Sequence, residues 1–132
     1  IKRINKFIKK RNYIANFYNK LFVDSKKFII PKVKKNFKHA YHLYPLLINT
    51  KNIGISKINI FKKFLKSKIR LQVHYIPVNS QPYYIKKFGL DKKKFKNSFL
   101  FYQKEISLPI YYDLSINQLN YIKKICRKIF KI

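Results

Sequence analysis

The sequence predicts one α+β domain in which a small sheet is covered by helices. The chain has 132 residues, which suits a single domain, and 47% of them are hydrophobic, which argues against a disordered chain. Segments with the periodicity of helices alternate with a few short runs typical of strands, and this mixture favours helices packed on a small sheet. No internal repeat or flexible linker divides the sequence. We therefore expect residues 1–132 to form one domain.

The first element is a long amphipathic helix predicted over residues 1–22. Hydrophobic residues recur there at intervals of three or four, with lysines and asparagines between them, which is the pattern of a helix with one buried face. Arg11 interrupts this face, and we expect it to form a salt bridge to another domain rather than to act in catalysis. The residues that define the face are Ile4, Ile8, Ala15, Tyr18 and Phe22.

Extended structure is predicted in three places. Residues 39–48 are rich in aromatic and branched side chains, which favours a strand, but Pro45 lacks the N–H that a central strand would use. We therefore expect this strand at an edge of the sheet, or with a bulge at Pro45. Residues 71–76 alternate in hydrophobicity, which predicts a second strand. Residues 107–110 are expected to form a short extended segment.

Four further helical segments follow from periodicity and from residues that begin or end helices. Ser56 and Ser115 can begin helices, because a serine hydroxyl accepts a hydrogen bond from an N–H group of the first turn. A short helix is expected to start at Pro82 and to end at Gly89. Cys126 falls on the hydrophobic stripe of the last helix, so we expect it to be buried. The predicted segments cover residues 57–67, 82–89, the stretch that follows the lysine-rich residues 92–96 up to about 104, and 116–130.

The net charge of +28 would attract polyanions such as nucleic acids or anionic lipids. Amino acids with AT-rich codons are abundant, however, and the lysines are spread along the whole chain. Surfaces that bind nucleic acids favour arginine, because its planar group makes two-point contacts. We therefore attribute the charge to codon usage, and keep a free-standing basic nucleic-acid-binding protein as the alternative function. A peripheral membrane protein is a further alternative, weakened by lysines on several sides of the first helix. The arginines are Arg3, Arg11, Arg70 and Arg127.

The cysteine, histidine and methionine content narrows the class of protein further. Cys126 alone cannot form an internal disulfide, and together with the three histidines it does not match a structural zinc site, so no metal site is expected. No hydrophobic run approaches the roughly 20 residues needed to span a bilayer, and we expect a cytoplasmic protein. The sequence contains no methionine and opens inside an amphipathic pattern. We therefore expect an N-terminal part to precede Ile1 in the whole protein.

Four short segments occur in an order and at spacings known from one enzyme family. They begin at Arg11, His39, Gln72 and Ser107, and they read RxxxAxxY, HAYHLYP, QVHYIPVxxQPYY and SLPI. Together they resemble the C-terminal domain of the DegT/DnrJ/EryC1/StrS aminotransferases, over nearly the whole chain. The third segment is most similar to the family members that act in pseudaminic acid biosynthesis.

The resemblance implies the small C-terminal domain of the aspartate-aminotransferase fold, which is fold type I of the pyridoxal-phosphate enzymes. A separate N-terminal domain, absent from this sequence, would hold pyridoxal 5'-phosphate and the lysine that forms the Schiff base. The whole enzyme would be a homodimer that transfers an amino group from glutamate to a UDP-4-keto-6-deoxy sugar. We accordingly expect no catalytic and no cofactor-binding residue in this chain, which alone would be inactive.

Five residues of the second and third segments are expected to contact the substrate. An imidazole can donate a hydrogen bond to a phosphate or sugar oxygen, and a tyrosine ring can stack on uracil or on the sugar. His39, in contrast, is expected to have a structural role. The five candidate residues are His42, His74, Tyr75, Gln81 and Tyr84.

One departure from the family pattern has a conformational consequence. The family usually has glycine where this chain has Lys68, directly after the helix predicted over residues 57–67. We expect Lys68 to adopt the left-handed conformation that glycine provides there, at a cost of about 1 kcal/mol.

Overall fold

The sheet contains three antiparallel strands in the order β1–β2–β3. In the computed structural model, which describes residues 2–90 and 92–132, the strands are β1 at Phe28–Ile29, β2 at Tyr44–Ile48 and β3 at Glu105–Leu108. Their register pairs Phe28 with Ile48 and Tyr44 with Leu108. An isolated bridge joins Gln72 to Ser107 on the side of β3 that faces away from β2.

Helices account for most of the remaining regular structure and confirm the α+β prediction. The predicted helix starts at Ser56, Pro82 and Ser115 are all observed, and the Ser115 hydroxyl and the Gln118 side chain form a reciprocal capping box. Single 3₁₀ turns occur at Val78–Ser80 and Lys92–Phe95. The helices are α1 at Ile4–Phe22, α2 at Thr50–Ile53, α3 at Lys57–Lys66, α4 at Pro82–Phe88, α5 at Lys96–Lys104 and α6 at Ile116–Phe130.

An aromatic cluster joins three helices to the first strand. The ring of Phe130 in α6 lies 5.0 Å from the ring of Phe28 in β1, 5.5 Å from that of Phe64 in α3 and 6.3 Å from that of Phe22 in α1. All four side chains are buried. Because aromatic pairs at these separations add to the hydrophobic gain from burial, the cluster ties α1, α3 and α6 to one side of the molecule.

The observed sheet corrects two predictions. The strand predicted at 39–48 begins only at Tyr44, and it is the central strand rather than an edge strand. Pro45 is tolerated because β1 pairs only with Leu47 and Ile48, so no β1 donor or acceptor lies opposite the proline. The strand predicted at 71–76 is absent except for the bridge at Gln72, because the chain turns away at the cis peptide bond between His74 and Tyr75.

Long helical excursions separate the Gln72 bridge from β3. Helices α4 and α5 lie in this excursion, and neither has a buried residue. Their aromatic side chains are instead exposed, with Tyr83 at 61% and Phe88 at 59%. The excursion therefore obtains little hydrophobic stabilisation from the rest of this domain.

The single cysteine has the buried position predicted for it. Cys126 is fully buried in α6, and burial raises the pKa of its thiol well above the ordinary range, so the thiol stays protonated. Over residues 2–90 and 92–132, no cluster of histidine, cysteine and acidic side chains could hold a metal ion. In the same part of the chain, no helix is both long and apolar enough to cross a membrane.

Lys68 adopts the left-handed conformation predicted for it, with φ of +57°. The N–H of Ile69 donates to the carbonyl of Phe64 at 3.0 Å, and the N–H of Lys68 donates to the carbonyl of Leu65 at 2.8 Å. These two bonds form a Schellman motif, in which the position of Lys68 favours glycine. The lysine side chain is exposed and has no packing role that would offset the strain.

Replacing Lys68 with glycine should stabilise the protein by about 1 kcal/mol, because glycine reaches a positive φ without the Cβ clash. Urea unfolding, followed by circular dichroism, measures the change in the free energy of unfolding. The matched control is Lys62→Gly, at an exposed position inside α3, which should destabilise the protein by about 1 kcal/mol. A loss of stability in both variants would contradict the assignment of strain to position 68.

Candidate functional site

A cleft of about 370 Å³ lies where α1, the segment before β2, residues 70–75 and the end of β3 meet. Its lining combines cationic, aromatic and hydroxyl side chains, a set suited to a ligand with phosphate and sugar groups. The volume falls within the range of small-molecule sites. The polar and aromatic lining residues include Arg11, His42, Arg70, His74, Tyr75 and Ser107.

Arg11 fixes the wall of the cleft that precedes β2. Its Nη1 donates to the carbonyl oxygens of Tyr41 at 3.0 Å and of His42 at 2.8 Å. The predicted interdomain salt bridge is therefore not what the structure shows, because Arg11 uses this nitrogen on two carbonyl groups of its own domain. These bonds hold Tyr41 at a φ of +46°, a conformation that costs a non-glycine residue about 1 kcal/mol or more.

His39 supports the same wall from behind, in the structural role predicted for it. Its Nδ1 accepts a hydrogen bond from the N–H of Tyr41 at 3.0 Å, and its carbonyl accepts one from the side chain of Asn12 at 2.8 Å. Its ring lies 4.4 Å from that of Tyr41 in an edge-to-face arrangement. Residues 39–42 are thus an irregular segment held on α1, which leaves the His42 side chain exposed beside the cleft.

The opposite wall is built around a buried carboxylate. Glu105, at the start of β3, is 0% exposed. One of its oxygens accepts a hydrogen bond from the backbone N–H of His74 at 3.0 Å, and the other accepts one from the hydroxyl of Ser107. The Ser107 hydroxyl also lies 2.8 Å from Nδ1 of His74. Both Ser107 and His74 line the cleft, so this network connects the buried charge to the site.

The structure brings together three of the five residues predicted to contact substrate. His42, His74 and Tyr75 line the cleft, and Tyr75 is 69% exposed. Gln81 and Tyr84 do not line it, because Pro82 starts α4, which belongs to the excursion away from the sheet. Gln81 is the N-cap residue of α4, and the Tyr84 ring stacks 6.1 Å from that of Phe88.

Two contributors were missed by the prediction. Arg70 lines the cleft with its side chain exposed, and Tyr111 closes the cleft after β3. A signal for Arg70 was present in the sequence, because it is one of only four arginines in a chain otherwise rich in lysine. Glu105 carried a comparable signal, as one of four acidic residues, but its partners become visible only in the folded chain.

The fold and the cleft define the small domain of a sugar aminotransferase. The structure superimposes on a solved *Helicobacter pylori* protein, described as PseC, an aminotransferase involved in the biosynthesis of pseudoaminic acid. The TM-score is 0.87 at 29% identity, over 98% of this chain and 34% of that one. The chain belongs to the DegT/DnrJ/EryC1/StrS aminotransferase family, whose family model matches residues 1–128. The predicted family is therefore confirmed.

Curated relatives place the chain within the same family and show how much of them it spans. It is 41% identical over 121 residues to the uncharacterized protein MJ1066 of *Methanocaldococcus jannaschii*, with 89% of this chain and 31% of that protein covered. It is 32% identical over 123 residues to the UDP-4-amino-4,6-dideoxy-N-acetyl-beta-L-altrosamine transaminase of *Campylobacter jejuni*, with 93% and 32% covered. The chain thus spans about a third of the length of these relatives.

Aminotransferases of this family use pyridoxal 5'-phosphate. Attachment of this cofactor requires a lysine amine that faces a cavity, and no lysine lines the cleft. Burial lowers the pKa of Lys57, but its Nζ donates to the carbonyl of Tyr102 at 2.6 Å and does not reach the cleft. The carboxylate of Glu105 is occupied by His74 and Ser107. The described residues therefore do not fit the cofactor, and no chemical step is assigned to it in this chain.

Replacing Arg11 with methionine should destabilise the protein by about 2 kcal/mol, because two carbonyl groups lose a charged hydrogen-bond donor. Hydrogen exchange at the amides of residues 41–43 should become faster, and the urea midpoint should fall. The control Lys9→Met removes a charge from the exposed side of the same helix, and it should change stability by less than about 0.5 kcal/mol. Unchanged exchange at residues 41–43 would show that Arg11 does not hold this wall.

Proposed function

We propose that this chain is the C-terminal small domain of a pyridoxal-phosphate-dependent aminotransferase. The proposed enzyme transfers an amino group from glutamate to a UDP-4-keto-6-deoxy sugar, in the synthesis of cell-surface sugars of the pseudaminic acid type. The cofactor and its Schiff-base lysine belong to a part of the enzyme outside this sequence. Family membership and the likeness to PseC over 98% of this chain support the proposal.

The observation that carries the proposal is the composition of the cleft. Arg70 and His42 place hydrogen-bond donors where a diphosphate could bind, since charge-assisted contacts to phosphate are among the strongest hydrogen bonds. The exposed ring of Tyr75 offers a flat surface for stacking on a base or a sugar. A nucleotide sugar carries all three groups, namely a base, a diphosphate and a pyranose.

The surface of the excursion supports a larger assembly around this domain. Helices α4 and α5 have no buried residue, and side chains such as Phe99, Leu100 and Phe101 are 38–47% exposed. Exposed hydrophobic side chains that form a continuous patch mark surfaces that other protein covers. We assign this surface to the remainder of the enzyme and to the second subunit of a homodimer, and we place the enzyme in the cytoplasm.

The net charge of +28 leaves nucleic-acid binding as the second candidate function. It predicts an affinity that falls steeply as salt rises, because neutralised phosphates release counterions. A nucleotide-sugar site predicts selectivity for the base and sugar at constant salt.

The protein should bind UDP-N-acetylglucosamine, used as the probe, more tightly than UMP, because the sugar and second phosphate add contacts in the cleft. Isothermal titration at constant ionic strength measures both affinities. Arg70→Gln should weaken binding of the UDP-sugar roughly tenfold, the loss expected for one charged phosphate contact. Arg3→Gln makes the same charge change at an exposed position before α1, and it should leave the affinity unchanged.

Equal loss of affinity in the Arg70→Gln and Arg3→Gln variants would contradict a phosphate contact in the cleft. Binding of polyuridylate that exceeds binding of the UDP-sugar and that disappears at high salt would favour the nucleic-acid alternative.

The division into two domains has its own test in the coding sequence. The reading frame upstream of the Ile1 codon should encode a lysine and an aspartate in the context that the family requires for pyridoxal phosphate. Sequencing the genomic region checks this expectation, and an upstream frame without either residue would refute the assignment of the cofactor to a preceding domain.

A further inference from the structure

The buried network behind the cleft determines where the protons lie. Glu105 accepts two hydrogen bonds, from the backbone N–H of His74 and from the hydroxyl of Ser107. A carboxylate is only an acceptor, so the single proton of the Ser107 hydroxyl points at Glu105. The same hydroxyl oxygen lies 2.8 Å from Nδ1 of His74 and can therefore only accept from that nitrogen. It follows that Nδ1 of His74 carries a proton.

We propose that Glu105 and Ser107 are positioning residues that hold neutral His74 as its Nδ1–H tautomer, so that Nε2 presents a hydrogen-bond acceptor to the cleft. In the part of the chain that the structure describes, no protein group bonds to this Nε2. The ligand group that suits it is a hydrogen-bond donor, such as a sugar hydroxyl or an amide N–H. Assigning that donor to the sugar rests on the proposed function, whereas the tautomer itself does not.

This arrangement separates the work of the two histidines and two arginines in the cleft. Phosphate oxygens are acceptors, and they are matched by the donors Arg70 and His42 rather than by a bare imidazole nitrogen. His74 would therefore read the hydroxyl or acetamido pattern of the pyranose, and the cationic groups would hold the diphosphate. The second shell of Ser107 and Glu105 fixes the ring orientation as well as the proton, as it does for other functional histidines.

The burial of Glu105 favours its ionised, accepting state. Two donors point at its oxygens, and a buried charge is retained where it is hydrogen-bonded and near an opposite charge. The Lys57 ammonium supplies that opposite charge, because the carboxylate of Glu105 acts on Lys57 to raise its pKa against the lowering caused by burial.

His39 supplies an internal reference with the opposite tautomer. Its Nδ1 accepts the N–H of Tyr41 at 3.0 Å, so in the neutral ring the proton must lie on Nε2. One protein should therefore contain one histidine of each kind, at fixed and assignable positions.

The test is ¹⁵N–¹H correlation spectroscopy of protein labelled only at histidine, at about pH 8.5, well above the ordinary histidine pKa of about 6.5. The variants His39→Gln and His42→Gln assign the signals. We expect the protonated nitrogen of His74 to be Nδ1 and that of His39 to be Nε2. A His74 ring protonated on Nε2 overturns the proposal.

Glu105→Gln provides a sharper arm, because it should reverse the tautomer. The backbone N–H of His74 requires the amide oxygen on its side, so the amide NH₂ faces Ser107 and donates to its hydroxyl oxygen. The serine proton then points at Nδ1 of His74, which moves the ring proton to Nε2. Asp113→Asn makes the same chemical change at an exposed acidic residue and should leave the tautomer as it was.

Ser107→Ala keeps the proposal testable if the Glu105→Gln protein does not fold. Loss of the hydroxyl removes the constraint on Nδ1, so His74 should show a mixture of the two tautomers, and a pure Nδ1–H form would overturn the relay. Addition of UDP-N-acetylglucosamine to the unmodified protein should shift the Nε2 resonance of His74. A correct tautomer with no such shift refutes the assignment of the donor to the sugar, and leaves the relay itself supported.

Discussion

Glu105 joins the two segments that form one wall of the cleft, and the geometry of the site depends on it. Apart from the two-bond bridge between Gln72 and Ser107, the listed polar contacts that fasten residues 72–74 to β3 all pass through this carboxylate or the hydroxyl next to it. A buried carboxylate is costly unless every oxygen is bonded, so the network forms only when the wall is complete. The same constraint that positions His74 also makes the wall a single unit.

The high positive charge is compatible with this fold because the lysines stay outside its core. Among the described residues, the fully buried side chains are hydrophobic apart from Glu105 and Ser107. Some lysines also have structural partners, as Lys27 shows by donating to the carbonyls of Phe130 and Lys131 at 2.9 and 3.0 Å. A cation at that position satisfies free carbonyls at the end of α6 and opposes its dipole. The charge therefore need not imply a polyanionic partner.

The sequence revealed the elements that carry local signals and missed those defined by distant partners. Helices α3, α4 and α6 were predictable from periodicity together with Ser56, Pro82 and Ser115, and the strained turn at Lys68 was predictable from the family's glycine. The two-residue strand β1 and the four-residue helix α2 are too short to show a period. In the cleft, the sequence indicated His42, His74 and Tyr75, whereas the Glu105 network arises from contacts between residues 31 and 33 positions apart.

The uneven burial along the chain accounts for how one domain can be both well packed and incomplete. Residues of α1, α3, α6 and the sheet share a continuous hydrophobic core, so this part has the packing of an independent fold. The excursion that carries α4 and α5 leaves its hydrophobic side chains exposed, and it begins directly beside Tyr75 at the mouth of the cleft. Since exposed apolar surface is stabilised only when it is covered, the protein that covers the excursion would also border the cleft. In the proposed enzyme, binding of the nucleotide sugar and assembly with the cofactor-bearing part would therefore be coupled through this one segment.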